Sequence, residues 1–221
     1  MHLRNQNGFS LFEILVALFL VTLIFISIPS SNQTNRKNLE LALDDIDRAI
    51  RFAGNEAILR NSLVRLTIDM NEAPIVYSVE AANDSKVLQL EENEKTVTSL
   101  KEDESQQKKI AQLDSQFQAV PEFEKMKREL SEFVSVIGSY TGNKDRLIQE
   151  GKLSLYFYPS GERDSALIFF SSDTELATLE ILPYQNKTTV KMVAYDMNSP
   201  LGMEQQQKAI MQEMYSEWLR E

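Results

Sequence analysis

Residues 7–32 read NGFSLFEILVALFLVTLIFISIPSSN, and this stretch decides how the chain is organised. Its central part, residues 9–28, is apolar on every face of a helix. A helix of this length covers roughly 30 Å, the thickness of the hydrocarbon core of a membrane. We therefore predict a membrane-spanning helix here. The polar or charged interruptions are Ser10, Glu13, Thr22 and Ser27.

Two other interpretations of residues 9–28 fit the sequence less well. A secretory signal peptide has a shorter apolar core and small residues at its cleavage site, whereas this run is long and continues into PSSN. A helix buried in a soluble core is rarely apolar on all faces in a domain of this size. A membrane anchor fits the length, but it does not explain the charge of Glu13.

Glu13 is the feature that a plain anchor leaves unexplained. An ionised carboxylate at the centre of a membrane costs about 2.5 to 3.5 kcal/mol on insertion scales, so such a residue generally has a partner and a role. The first turns of a helix favour a carboxylate because the helix dipole is positive there. Its cation could be Arg4, or a new α-amino group created by cutting the chain before Phe9. The alternative is a shallow Glu13 in the membrane interface without any role.

The composition of the 221-residue chain excludes several classes of site. There is no cysteine and the single histidine is His2, which excludes thiolate sites, imidazole-based dyads and triads, and ordinary histidine-ligated zinc. The formal net charge of −10 argues against a nucleic-acid surface. A mechanism that uses only carboxylates or a serine–lysine pair stays open, although no residues single one out, and so does a small basic patch on the acidic body. We expect no enzyme activity, no cofactor and no nucleic-acid partner.

Downstream of the apolar run, the pattern predicts a second, amphipathic helical segment over residues 29–62. Pro29 lacks an N–H group and disfavours a helical Ile28, so we predict a kink or break there. The segment then carries apolar residues at three- and four-residue spacing, which is typical of a helix with one buried face. The spaced residues are Leu39, Leu43, Ile46, Ile50, Ala53, Ala57 and Ile58.

Short strand-like segments follow, of which residues 63–69 alternate apolar and polar side chains, and turn sequences such as Pro159-Ser160-Gly161 separate them. A helix first and strands afterwards indicate an α+β fold, in which the long N-terminal helix packs on a mainly antiparallel β-sheet. The predicted strands are residues 63–69, 75–80, 86–90, 153–158, 166–171, 177–182 and 188–195.

Residues 8–13, GFSLFE, lie behind a short polar leader with one basic residue and ahead of an apolar helix. This arrangement resembles the prepilin signal of type IV pilins and pseudopilins. The resemblance implies that a prepilin peptidase cuts after Gly8, removes the leader of residues 1–8 and methylates the new amino terminus of Phe9. Glu13 would pair with the amino terminus of a neighbouring subunit during assembly. Residues 9–28 would then be a transmembrane or filament-core helix.

Two further segments resemble the H-type minor pseudopilins of type II secretion (general secretion pathway protein H) and the related FimT-like minor pilins. The segments are GNEAILRNSLVRLTID, residues 54–69, and GKLSLYFYPSGERDSALIFF, residues 151–170. This resemblance implies a pilin-like β-sheet head over residues 63–202, located in the periplasm.

The resemblance implies a function in assembly. It places the chain in the bacterial inner membrane as a single-pass protein that enters a short periplasmic filament, the pseudopilus, at its start or tip. The implied partners are a prepilin peptidase, other minor and major pseudopilins, the inner membrane and the secretion machinery. Two other functions stay open: a minor type IV pilin in pilus biogenesis or DNA uptake, and an unprocessed membrane-tethered periplasmic binding domain.

Residues 91–150 depart from the family pattern. The apolar spacing from Ile110 to Ile137 predicts a helical insertion, broken near Pro121. Residues 203–221 predict a C-terminal amphipathic helix that carries the single tryptophan, Trp218. Each apolar stripe could pack in the core or bind a partner.

Acidic clusters occur at residues 44–47, 91–94 and 102–104. They lack the alternating spacing and the glycine of a calcium loop. We therefore expect solvated faces there and no metal site.

Overall fold

The chain folds as two compact units, Met1–Thr34 and Asn35–Glu221. The structure is a computed structural model, and it describes residues 11–27, 31–82, 114–124, 128–142, 144–185 and 187–220. Some of the predictions lie outside the described residues: those on Gly8, Phe9 and Pro29, the strand over 86–90 and the acidic clusters at 91–94 and 102–104.

Helix α1, Leu11–Ser27, confirms the helix predicted over residues 9–28. It is rich in leucine, which favours the helix, and contains neither glycine nor proline. The hydroxyl of Thr22 bonds to the backbone carbonyls of Leu18 at 3.0 Å and Phe19 at 2.8 Å, so this polar interruption is satisfied within the helix itself. Among the described residues, no helix is both long enough and apolar enough to cross a membrane.

Helix α2, Ser31–Arg60, confirms the second predicted helix. Its apolar stripe is buried from Leu39 to Ala57, as predicted, whereas Ile58 is 55% exposed. The assignment of Ile58 to the stripe was therefore wrong. Positions three and four residues apart share a helix face, so Ile58, one residue after Ala57, falls on a different face.

Ten strands and two further helices follow α2 in the described residues. The strands predicted there before residue 91 and after residue 150 are confirmed to within two residues at each end. The elements are β1 Val64–Asp69, β2 Val76–Ala82, β3 Phe117–Ala119, α3 Pro121–Glu124, β4 Arg128–Glu129, β5 Ser135–Thr141, β6 Lys144–Ile148, β7 Lys152–Phe157, β8 Ala166–Ser171, β9 Glu175–Ile181, β10 Thr189–Ala194 and α4 Met203–Trp218.

The strands form two antiparallel five-stranded sheets, where the sequence predicted a single one. Sheet A has the order β3-β2-β1-β7, with β4 also paired to β2, and sheet B has the order β10-β9-β8-β5-β6. Strand β1 pairs with β2 on one side and with β7 on the other, so it lies inside sheet A. The α+β class and the antiparallel pairing are confirmed.

The buried stripe of α2 and apolar side chains from both sheets form one hydrophobic core. Ile46 of α2 belongs to the same cluster as Leu66 of sheet A and Ile168 of sheet B. A second, smaller cluster joins α4 to sheet B through residues of β8, including Leu167 and Phe169. Successive residues of a strand face opposite sides of the sheet. Ile168 therefore packs in the main core, whereas Leu167 and Phe169 pack in the cluster with α4.

The helical insertion predicted within residues 91–150 is wrong for most of the part that the structure describes. Strands β3 to β6 occupy about half of that part, and helix is limited to Asp114 and α3. Residues 134–141, VSVIGSYT, are rich in β-branched and aromatic side chains, which favour strands. Val134 and Val136 are buried at two-residue spacing, and a bulge between Val136 and Gly138 then shifts the register.

Candidate functional site

Helix α1 exposes many large apolar side chains that no other part of the described chain covers. The large apolar side chains from Leu11 to Val21 are 38 to 81% exposed, and they occupy every face of the helix. Soluble proteins rarely expose contiguous apolar surface of this extent, and such a surface generally marks a site that another molecule or a membrane covers. This helix is therefore a candidate assembly or membrane segment.

Glu13 lies in the first turn of α1, where the positive end of the helix dipole favours a carboxylate. It is the only ionisable residue between Leu11 and Ser27. Any covering of α1 by lipid or by other apolar helices would move this charge into a medium of low dielectric constant, where it requires a cation.

The unit Asn35–Glu221, called the head below, contains a cluster of charges around the buried Arg65 of β1 that the sequence did not predict. The side chain of Arg65 is only 7% exposed. Its guanidinium contacts Glu80 at 2.7 Å and Asp114 at 2.6 Å, and it lies 4.2 Å from the ring centroid of Phe117. These contacts join β1, β2 and the chain that enters β3.

The electrostatics of Arg65 favour a permanent charge. Burial alone would lower the pKa of its guanidinium, but the hydrogen bond with Asp114 and the charge of Glu80 outweigh burial and raise that pKa. In the β1–β2 register Arg65 lies directly opposite Glu80, so a hairpin alignment could have found this pair. Its contact with Asp114, 49 positions away, has no local signal. We assign this cluster to the stability of the head.

A second buried arginine, Arg163, lies in the turn between β7 and β8. Its Nε donates to the carbonyl of Leu182 at 3.0 Å, and its Nη2 has no hydrogen-bond partner among the described residues. Burial lowers the pKa of this guanidinium, and the charge of Asp47 partly offsets the effect. Asp47 itself accepts the hydroxyl of Thr188 at 2.6 Å. These contacts hold the β9–β10 turn against α2.

The described residues contain no group of three or more histidine, cysteine, aspartate or glutamate side chains placed to hold a metal ion. The acidic cluster at residues 44–47 is instead part of ion pairs along α2. Asp45 contacts Arg48 at 3.1 Å, and Asp47 contacts Arg51 at 2.6 Å.

Helix α4 packs its apolar stripe against sheet B, which is the first of the two alternatives for residues 203–221. Met211 is buried, and the ring of Tyr215 stacks on Tyr140 with centroids 3.8 Å apart. Trp218 is half-buried in the same cluster. The apolar residues of α4 therefore serve mainly the fold of the head.

Most apolar residues in the described part of residues 91–150 are also buried. Phe117 and Phe123 are buried in sheet A and beside α2, whereas Phe133 is 52% exposed. Most of the described apolar residues of this segment pack in the core and leave little exposed apolar surface of their own.

Comparison with known protein families identifies the N-terminal segment. The prokaryotic N-terminal methylation motif matches residues 3–28. The match spans the predicted junction of Gly8 and Phe9, and it includes Glu13. Comparison with curated proteins gives no match, and neither does comparison with solved structures. The chain therefore carries a type IV pilin-like prepilin signal.

Proposed function

We propose that this chain is a minor pseudopilin, a structural subunit of the periplasmic pseudopilus of a type II secretion system. The observation that carries the proposal is the methylation motif over residues 3–28, followed by a helix with exposed apolar side chains on all faces. The motif supports pilin-like processing, and the helix supplies surface for packing between subunits. The type II assignment rests on the resemblance of residues 54–69 and 151–170 to H-type minor pseudopilins.

The proposed maturation begins in the inner membrane. A prepilin peptidase cuts between Gly8 and Phe9 and methylates the new amino group of Phe9. The mature chain stays anchored through α1 as a single-pass protein, with its head in the periplasm. Removal of the leader places a positive charge four residues before Glu13, within about 6 Å along a helix.

The proposed mechanism is assembly without catalysis. Apolar faces of α1 helices bury against one another, and the carboxylate of Glu13 pairs with the amino terminus of Phe9 in a neighbouring major or minor pseudopilin. A carboxylate that is buried without a compensating cation is strongly unfavourable, so this pair selects the productive arrangement of helices. The head then supplies specific contacts at the start or tip of the filament, which moves cargo with the secretion machinery.

A minor type IV pilin is the second candidate, because the methylation motif is shared by pilins and pseudopilins. It would use the same cleavage and the same Glu13 contact, and it would differ in the filament that it enters. A role in DNA uptake gains no support from the net charge of −10.

The intact mass of the protein from its native host tests the processing step. We expect a chain that begins at Phe9 and carries one additional methyl group. Gly8→Val should block the cut, because a branched side chain would occupy the position that glycine leaves open to the peptidase, and Asn7→Ala is the matched control that should be cut normally. A working protein that retains residues 1–8 would overturn the proposal and favour an unprocessed membrane-tethered domain.

A second experiment identifies the filament that contains this chain, and so decides between a type II secretion system and a type IV pilus. Co-purification with type II pseudopilins supports the first candidate, whereas co-purification with pilus subunits supports the second.

A further inference from the structure

The connection between β10 and α4 is an ordered loop, which we call the 196–203 loop after its residues. The side chain of Gln206 holds it closed: its Oε1 accepts from the backbone N–H of Asp196 at 2.9 Å. Its Nε2 donates to the carbonyls of Asp196 and Leu201, each at 3.1 Å. One amide nitrogen thus contacts both ends of the loop and keeps them side by side.

Two further side chains order the interior of the loop. The carboxylate of Asp196 accepts from the N–H of Asn198 at 2.9 Å, and the hydroxyl of Ser199 accepts from the N–H of Leu201 at 3.2 Å. Hydrogen bonds of this kind fix turns locally. The conformation of the loop is therefore set before it meets any other molecule.

This ordered loop presents apolar side chains to solvent. Met197 is 66% exposed, Leu201 is 49% exposed and Met203 is 43% exposed. Single exposed apolar residues are common, but Met197 and Leu201 lie on one closed loop and Met203 follows it directly, at the start of α4. A pre-ordered surface loses little conformational entropy when it binds, and methionine adapts well to irregular apolar sockets.

Exposed carboxylates lie within the loop and next to it. Asp196 and Glu204 are exposed within and beside the loop. The N–H of Tyr195 donates to the carbonyl of Thr174 at 2.9 Å, which brings the exposed Asp173 of the neighbouring turn to the same end of sheet B. The loop itself contains neither lysine nor arginine, so its own charge is negative.

We propose that the 196–203 loop is a protein-docking surface whose partner carries an apolar socket rimmed by lysine or arginine. The apolar side chains enter the socket, and the three carboxylates select a cationic rim by charge complementarity. The same carboxylates disfavour an anionic lipid surface, which attracts basic segments. This proposal concerns the head alone and stands whether or not the chain is a pseudopilin.

Site-specific photocrosslinking of the full-length protein in its native host tests the proposal. The photoreactive residue p-benzoylphenylalanine replaces Met197 in one variant and Leu201 in a second, so that one failed variant does not end the test. The matched control carries the same residue in place of Tyr184, which is 78% exposed in the β9–β10 turn. We expect one protein adduct from both loop positions, absent from the control, with the crosslinked peptide next to Lys or Arg residues.

A variant that neutralises the three carboxylates then tests whether charge selects the partner. Combined Asp173→Asn, Asp196→Asn and Glu204→Gln should lower the adduct yield at least about threefold, since exposed ion pairs are individually weak but add here. Asparagine at position 196 retains an oxygen that can accept from Asn198. Each of four outcomes would overturn the proposal. They are an adduct with lipid, an adduct with a second copy of this chain, an adduct yield that the three neutral substitutions do not change, and no adduct beyond that of the control.

Discussion

Helices α1 and α2 follow one another in the chain, and both contain many apolar residues, but they use these residues differently. In α2 most apolar residues form one stripe that is buried against both sheets, and only Leu41, Ile58 and Leu59 are large apolar residues exposed among its described side chains. In α1 they cover every face, and the described ones remain exposed. The apolar residues of α2 therefore serve the fold of this chain, whereas those of α1 are available to other molecules.

The charged residues of the two helices differ in the same way. Those of α2 lie on its outer faces and pair at i,i+3 or i,i+4 spacing, as Arg48 does with Asp45. Such exposed pairs contribute little to stability. The single ionisable residue of α1, Glu13, lies among exposed apolar side chains. Covering this helix would make its charge energetically important, so substitutions in α1 should affect assembly and substitutions in α2 should affect folding.

The largest effect should come from Glu13→Ala. A buried charge pair that loses one partner costs several kcal/mol, and every 1.4 kcal/mol is tenfold, so we expect incorporation into filaments to fall at least about tenfold. The free energy of unfolding of the head should not change. The measurements are the filament-bound fraction and urea unfolding of the same preparation.

Thr22→Ala is the matched control in α1, because the Thr22 hydroxyl is satisfied within the helix. This variant should be incorporated normally. Unchanged incorporation of the Glu13 variant would remove the distinction between the two helices, since Glu13 would then have no role in docking.

Ile46→Ala should have the next largest effect, and it acts on folding. Ile46 is fully buried in the main core, and truncation of such a side chain typically lowers the free energy of unfolding by about 2 to 5 kcal/mol. Ile58→Ala removes the same atoms from an exposed position of α2, so its effect should stay within about 0.5 kcal/mol. Urea unfolding followed by circular dichroism measures both. Equal losses for the two variants would contradict the burial pattern of α2.

Arg65→Met should destabilise the head by a smaller amount. Methionine can pack beside Phe117, but Glu80 and Asp114 lose their shared cation. Because both carboxylates are partly exposed, we expect a loss of about 1 to 3 kcal/mol in urea unfolding. Arg48→Met is the control on α2, where the exposed pair with Asp45 should contribute less than about 1 kcal/mol. If both variants lose the same amount, the Arg65 cluster is no more than a surface pair.

The sequence predicted those elements whose pattern is local. The stripe of α2 from Leu39 to Ala57, the alternating β7 and the apolar run of β8 were found because each pattern extends over several neighbouring residues. The methylation motif was found because its glycine, glutamate and apolar run are adjacent. Local repetition of this kind needs no knowledge of the tertiary structure.

The failures concern features that depend on distant parts of the chain. The bulge between Val136 and Gly138 arises where β5 pairs with β8, a strand far along the chain. The division into two sheets depends on which strands pair. The contact between Arg65 and Asp114 depends on the pairing of β3 with β2, which brings the chain before β3 close to β1. Gln206 likewise closes its loop through contacts that no short motif reveals.

The smallest effect should be a loss of stability at alkaline pH through Tyr195 of the head. Its hydroxyl lies 2.8 Å from Ser171 Oγ in a buried position. Burial raises the pKa of this phenol, although hydrogen bonds with Ser171 and Gln207 partly offset the effect. A raised pKa in the folded state means that the unfolded chain ionises first as the pH rises past about 10. The free energy of unfolding should therefore be fully retained below that pH and fall above it.

Tyr195→Phe separates the effect of Tyr195 ionisation on stability from that of the other tyrosines. The variant should lose about 1 kcal/mol near neutral pH, because the buried hydrogen bond is absent, and its stability should fall less steeply between about pH 9 and pH 11. Burial also raises the pKa values of Tyr77 and Tyr140, so a residual slope should remain. Urea unfolding across this pH range measures both quantities. An unchanged slope would mean that the Tyr195 phenol is no harder to ionise in the folded head than in the unfolded chain.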